Sequence, residues 1–214
     1  MPHTPRELLK GSLSTHLPFI WRLAVAFTPT QNDATRVLRH ITRLAGEASL
    51  EWTDMDEATR WLRHHTILEL RDADKPDRDD PLTRDDDSPS HRATIAAFRK
   101  LPRQQQEATL LSAGASLTDR QIGIAMDCSV TAASGHRTAA IDALKVLSGS
   151  SETPLRQLAH AFGRIDVPGS FVVEIEQQVD RIGWWRTVWP WIALVGLLLV
   201  VAVATWLILT RIEI

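Results

Sequence analysis

Residues 101–147 read LPRQQQEATLLSAGASLTDRQIGIAMDCSVTAASGHRTAAIDALKVL and carry more structural information than any other stretch of the chain. Thr118 precedes Gln121 by three residues, which is the pattern of a capping box at the start of a helix. Asp127 and Ser129 flank a tight turn, because aspartate tolerates a left-handed backbone and serine caps the helix that follows. The pattern therefore predicts a helix, a tight turn and a longer second helix.

A helix–turn–helix of this size usually lays its second helix in the major groove of DNA. We expect Ala133 to face inward, against Leu110 and Ile122, so that the opposite face of the second helix is left for DNA. The residues expected to contact DNA are Thr131, Ser134, His136, Arg137 and Thr138.

Several short motifs stand in a recognisable order along this segment. They are LP at 101–102, QQE at 105–107, LT at 117–118, IG at 122–123 and SV at 129–130. The segment resembles the C-terminal, promoter-reading domain of the extracytoplasmic-function sigma factors of bacterial RNA polymerase. The first part of the chain is similar to the core-binding helical domain of the same family at residues 20–24 (IWRLA), 28–34 (TPTQNDA) and 60–62 (RWL).

The resemblance implies a helical protein that binds promoter DNA and the RNA polymerase core. An anti-sigma or other regulatory protein is a further partner that it implies. In the family, the segment that matches residues 31–41 meets the polymerase. The resemblance therefore implies polymerase binding by Asp33, Val37 and Ile41.

The same segment departs from the family pattern in its charge. Asp33 remains acidic, but Arg39 is basic where an acid is usual, and other positions of this segment are neutral: Asn32, Ala34 and Thr35. Two functions therefore stay open. One is a membrane-anchored sigma-like transcription factor that directs RNA polymerase to promoters. The other is a degenerate sigma-like membrane regulator that acts through protein–protein contacts without initiating transcription.

Helical periodicity and composition predict an all-α fold with two small helical domains and one C-terminal transmembrane helix. An acidic linker between the domains contains eight aspartates and three prolines, and we expect it not to pack because it has almost no apolar residue. In chain order the segments are a core-binding helical domain at 1–71, the acidic linker at 72–90, a helix–turn–helix domain at 91–147, a juxtamembrane helical segment at 148–187 and the transmembrane helix at 188–210.

Residues 188–210 read VWPWIALVGLLLVVAVATWLILT and contain no charged residue. As a helix, this segment is about 35 Å long, which is enough to cross a bilayer. Tryptophans crowd its first end, as in the aromatic belts of membrane proteins. We predict a single-pass protein of the inner (cytoplasmic) membrane, anchored in lipid by this segment, with its N-terminal bulk in the cytoplasm.

Composition and motifs argue against an enzyme. The formal net charge is −2, and residues 93–150 are a net-positive part, with six basic and four acidic residues. The sequence has no phosphate-binding glycine loop, nucleophile motif or metal-ligand spacing. Cys128 is the single cysteine, so an internal disulfide is excluded. We therefore expect no catalytic residue, no metal and no cofactor.

Deleting residues 188–214 should release a fluorescent fusion of this chain from the membrane, because the apolar segment supplies the free energy of insertion. Cell fractionation measures the outcome: the intact fusion should sediment with membranes and the truncated fusion should stay in the supernatant. A truncated fusion that still sediments with membranes would contradict the placement of the anchor.

Overall fold

The computed structural model describes the backbone of residues 4–71, 80–149 and 153–212, and the side chains of these residues apart from 182–190 and 202–212. Within this part the chain is all-helical, as predicted, with nine helices and no strand. The helices are α1 (Pro5–Phe27), α2 (Gln31–Ala48), α3 (Met55–Arg71), α4 (Pro89–Arg99), α5 (Arg103–Ala115), α6 (Asp119–Met126), α7 (Val130–Ser148), α8 (Pro154–Gly163) and α9 (Gly169–Ile212).

Local capping residues begin several helices where the sequence predicted them. Thr4 and Glu7 form a capping box at α1, and Thr118 and Gln121 form another at α6. The hydroxyl of Ser129 caps α7 by accepting a hydrogen bond from the backbone N–H three residues further on, at 3.1 Å. These bonds satisfy N–H groups that have no partner within the helix, so the caps fix where each helix starts.

The helices of the first domain and those of the helix–turn–helix domain pack against each other. We call α1–α3 the N-terminal half and α4–α7 the helix–turn–helix half. Their buried side chains form one continuous apolar cluster, in which Trp21 and Phe27 come from the first half and Phe98 and Leu111 from the second. Helix α3 lies along α6, and α1 contacts α5. The two predicted domains therefore share a core.

A buried carboxylate lies where the two halves meet. Glu107 on α5 has a side chain only 1% exposed, and it pairs with Arg71 of α3 at 3.1 Å and with Arg103 of its own helix at 3.4 Å. Arg71 also donates a hydrogen bond to the carbonyl oxygen of Met126, at 2.8 Å. The guanidinium of Arg103 lies 3.8 Å from the centre of the Phe27 ring. Because a buried charge must be paired, this cluster couples the ends of α1, α3 and α6 to α5.

The acidic linker is partly packed, so the expectation that it cannot pack is wrong for its second part. Leu82 is 1% exposed and Asp87 is 5% exposed. Asp80 accepts two hydrogen bonds from the guanidinium of Arg99, both at 2.6 Å. One leucine and two aspartates with specific contacts hold this stretch against the core, despite its polar composition. Residues 72–79 of the predicted linker lie outside the described residues.

The segment after the helix–turn–helix half folds back over both halves. Helix α8 packs against α4, α5 and α7, and the first turns of α9 pack against α1 and α2. The indole N–H of Trp21 donates to the carbonyl oxygen of Asp166 at 2.8 Å, and the Trp21 ring lies 4.5 Å from that of Phe171. Phe162 on α8 fills the space beside Gly114 on α5, where a Cβ atom would lie 2.6 Å from the phenyl ring. This segment therefore belongs to the folded core.

Helix α9 is 44 residues long and continues to Ile212. Within the part of the chain that the structure describes, no helix offers a stretch long and apolar enough to cross a membrane. The side chains of residues 188–190 and 202–210, which belong to the predicted span, lie outside the described residues.

Replacing Gly114 by alanine should destabilise the fold by about 1–3 kcal/mol, because the new methyl group would overlap the Phe162 ring. Gly135→Ala is the matched control, since Gly135 also lies inside a helix but a Cβ there meets nothing within 4 Å. The control should stabilise the fold by about 0.5–1 kcal/mol. Urea unfolding of the full chain in mild detergent, followed by far-UV circular dichroism, measures both. If both variants shift the midpoint in the same direction, Phe162 does not dock beside Gly114.

Candidate functional site

The helix–turn–helix has the geometry that the sequence predicted. Helix α6 ends at Met126 and is capped by Asp127, whose φ of 55° is left-handed, and α7 starts after Ser129. Gly123 allows α6 to approach the turn closely, because a Cβ atom there would lie 2.9 Å from the carbonyl oxygen of Cys128. Ala133 is fully buried, as expected. The opposite face of α7 is therefore directed away from the core.

The residues predicted to contact DNA lie on α7 but differ in accessibility. Two of them are exposed, namely Thr131 and Thr138. Three of them are half-buried, namely Ser134, His136 and Arg137. The two threonines are thus the most accessible of these side chains, while Arg137 lies closer to the protein.

An ion pair within the helix–turn–helix holds Arg137. Its Nε and Nη2 atoms donate hydrogen bonds to the two carboxylate oxygens of Asp119 on α6, at 2.7 and 3.1 Å. The hydrogen bond from Arg137 holds the pKa of the Asp119 carboxyl below its usual value, so the pair persists at neutral pH and is lost only as the pH falls through that lowered pKa. A guanidinium held in this bidentate way must give up both bonds to reach a DNA phosphate.

The residues predicted to bind polymerase lie on α2 and also differ in accessibility. Ile41 is 1% exposed and packs inside the core of this chain. Val37 is half-buried against that core. Asp33, in the first turn, accepts hydrogen bonds from the Thr30 hydroxyl at 2.7 Å and from Arg36 at 2.8 Å. Asp33 and Val37 thus keep accessible surface, whereas Ile41 holds α2 in position.

Helix α9 contacts the segment that the resemblance assigns to polymerase. Arg39 donates a hydrogen bond from Nε to the carboxylate of Glu174 at 2.6 Å, and the amide of Gln178 donates to the carbonyl oxygen of Arg39 at 3.2 Å. The bond from Arg39 lowers the pKa of the Glu174 carboxyl. The basic residue that departs from the family pattern is therefore used in a contact within the chain.

The apolar side of this contact is a stripe along the first turns of α9. Phe171, Ile175 and Val179 recur every four residues and are 1–4% exposed. The Phe171 ring lies 4.5 Å from that of Trp21 on α1, and Ile175 and Val179 line a small cavity together with Leu13 and Leu17 of the same helix. A helix is predicted here from the sequence but the stripe is not, although its spacing of four residues is the signal that could have revealed it.

Comparison with known proteins adds no family to this description. No family model, curated protein or solved structure matches the chain. The functional interpretation therefore depends on the residues and contacts of the chain itself.

Replacing Asp119 by asparagine should strengthen binding to duplex DNA, because Arg137 is released and a negative charge near α7 is removed. The salt dependence of binding should become steeper, since one more cation is free to contact a phosphate. A mobility-shift titration at two salt concentrations measures both quantities.

The matched control is Glu51→Gln, which removes an exposed carboxylate outside the helix–turn–helix half. It changes the net charge equally but leaves Arg137 paired. If the two variants bind DNA alike, release of Arg137 contributes nothing and the ion pair does not limit DNA contact.

Proposed function

We propose that this chain is a membrane-anchored, sigma-like transcription factor that directs RNA polymerase to promoters. The observation that carries the proposal is the α6–turn–α7 unit, with a left-handed Asp127, a capping Ser129 and a buried Ala133. This unit leaves one face of its second helix to solvent, which reading of the major groove requires. Promoter DNA is the partner assigned to that face.

The proposed contact with core polymerase uses α2. Asp33 and Val37 keep accessible surface on this helix. Because Asp33 is the one acidic residue of segment 31–41, apolar packing contributes more to this contact than charge does. The affinity for polymerase should therefore depend only weakly on salt concentration. The buried Ile41 supports this surface from within.

The proposed anchor is residues 188–210, at the end of the unbroken helix α9. Support comes from the large apolar side chains between 191 and 201, which are 46–67% exposed. A helix that is apolar on all sides needs apolar surroundings, and bilayer lipid supplies them. The proposal assigns the helical bulk to the cytoplasmic side of the inner membrane.

A second candidate function is a sigma-like membrane regulator that acts through protein–protein contacts without initiating transcription. It is favoured by the contact of α9 with α2, in which Glu174 holds Arg39 at 2.6 Å. It is also favoured by the pairing of Arg137 with Asp119, since this neutralises a cation of the DNA-facing helix. In this case a regulatory protein, and not promoter DNA, is the partner.

Opening the contact between α2 and α9 tests both functions. Glu174→Arg replaces the attraction to Arg39 by repulsion and should raise the affinity for core polymerase by roughly three- to tenfold. Glu176→Arg is the matched control, since it makes the same charge change at an exposed position of α9 away from Arg39, and it should leave the affinity unchanged. Full-length chain in nanodiscs, titrated with core polymerase by biolayer interferometry, gives these affinities.

In vitro transcription then separates the two functions. Promoter-dependent transcripts from the opened variant support the initiator, whereas polymerase binding without transcripts supports the regulator. If neither the native chain nor either variant binds core polymerase, the sigma-like assignment fails.

A further inference from the structure

A cleft opens between α3 and α6, beyond the point where Arg71 joins the two halves. It has two adjoining parts, with volumes of about 440 and 900 Å³, which share Arg60, Arg120 and Ile124 in their linings, and the larger part is widely open to solvent. One wall belongs to the N-terminal half and the other to the helix–turn–helix half. Volumes of this size are typical of sites for small molecules.

Three arginines line the smaller part of the cleft: Arg60 and Arg63 on α3, and Arg120 on α6. None of the three forms an ion pair within the part of the chain that the structure describes. Asp56 is the one acidic residue that lines this part. The local charge is therefore positive, although the whole chain has a formal net charge of −2.

Arg63 is the most constrained of these arginines. It is half-buried, and its Nε atom is enclosed without a hydrogen-bond partner among the described residues. Burial lowers the pKa of its guanidinium. Nearby, burial and the charge of Arg63 lower the pKa of His16. Because burying an unpaired cation costs free energy, this side chain gains strongly from an anionic ligand.

We propose that the cleft binds a nucleoside di- or triphosphate, whose phosphates lie between Arg60, Arg63 and Arg120. Guanidinium groups match phosphate oxygens through paired hydrogen bonds, which is why arginine is preferred at phosphate sites. The first turn of α6 also lines this part, and its helix dipole favours negative charge. The phosphate part lies away from the polymerase contact on α2, whereas the larger part adjoins the turn of the helix–turn–helix, since Ser129 and Val130 line it.

The larger part of the cleft suits the nucleoside. Trp61 and Ile124 give it an apolar wall, and Ile124 is 42% exposed. The Trp61 ring is stacked on His65 with 3.8 Å between ring centres, so its position is fixed before a ligand arrives. Glu57 and Asp127 line the same part and can accept hydrogen bonds from the amino or hydroxyl groups of a nucleoside.

The shape of the cleft favours a nucleotide over duplex DNA. A duplex is too wide to enter a space of about 440 Å³ between two helices, and it reaches only exposed groups such as Arg60 and Arg120 at the rim. A slender phosphate chain reaches the half-buried Arg63 as well. Because the ligand touches both halves, its binding also stabilises their packing against each other.

The test is isothermal titration calorimetry on the full-length chain in detergent micelles, with GTP, ATP, GDP, inorganic pyrophosphate and a DNA duplex as probes. Arg63→Gln, and separately Arg60→Gln with Arg120→Gln, should weaken nucleotide binding at least about tenfold. Arg43→Gln, which changes an exposed arginine on α2 away from the cleft, should leave it unchanged. Since Arg60 and Arg120 are exposed, their variant keeps the test valid if the Arg63 variant fails to fold.

A second readout is the pKa of His16, which reports the charge beside Arg63 and not the affinity. A phosphate beside Arg63 offsets its charge, so nucleotide should raise the pKa of His16, as followed by NMR of the imidazole with His16→Gln for assignment. Three results would overturn the proposal: no nucleotide binding, binding that Arg43→Gln weakens as much as the cleft variants do, or pyrophosphate binding as tight as that of nucleotides. Binding of the duplex alone, weakened by the cleft variants, would assign the arginines to a nucleic-acid backbone instead.

Discussion

The folded state of this chain depends on the buried carboxylate of Glu107. Its side chain is 1% exposed, and two arginines share its charge. Arg71 extends the cluster to the carbonyl oxygen of Met126, and Arg103 extends it to the carbonyl oxygen of Leu70. Removing one partner would leave an unpaired buried charge and would lower the free energy of unfolding by about 3–5 kcal/mol, so the stability of the fold depends on all three side chains. The cluster therefore ties α3 and the end of α6 to α5, beside the cleft between α3 and α6.

The sequence predicted the helices well because their ends are determined locally. The capping box of Thr118, the left-handed turn at Asp127 and the cap at Ser129 each depend on residues within four positions, and all three were predicted. The acidic linker was misjudged because composition does not show that a single Leu82 can be buried. Packing of the two halves against each other was also missed, since the residues that join them are 36 positions apart at Arg71 and Glu107.

The candidate sites were less predictable because their chemistry is formed by distant residues. Helical spacing located α7 and its outward face, but it could not reveal that Arg137 is paired with Asp119, 18 residues earlier. The contact of Arg39 with Glu174 spans 135 residues. The arginines of the cleft come from two helices that meet only in the folded chain. In each case the residue type was visible in the sequence, whereas its partner was set by tertiary packing.

The unbroken course of α9 has a geometric consequence for a chain anchored at residues 188–210. Val179 is fixed in the core, so the standoff between core and bilayer is about nine helical residues, or roughly 14 Å. A disordered tether of that length would let the core tumble freely, whereas a continuous helix transmits orientation. The folded core would therefore lie close to the lipid surface in a fixed orientation. Large assemblies would reach only the sides of it that face away from the bilayer.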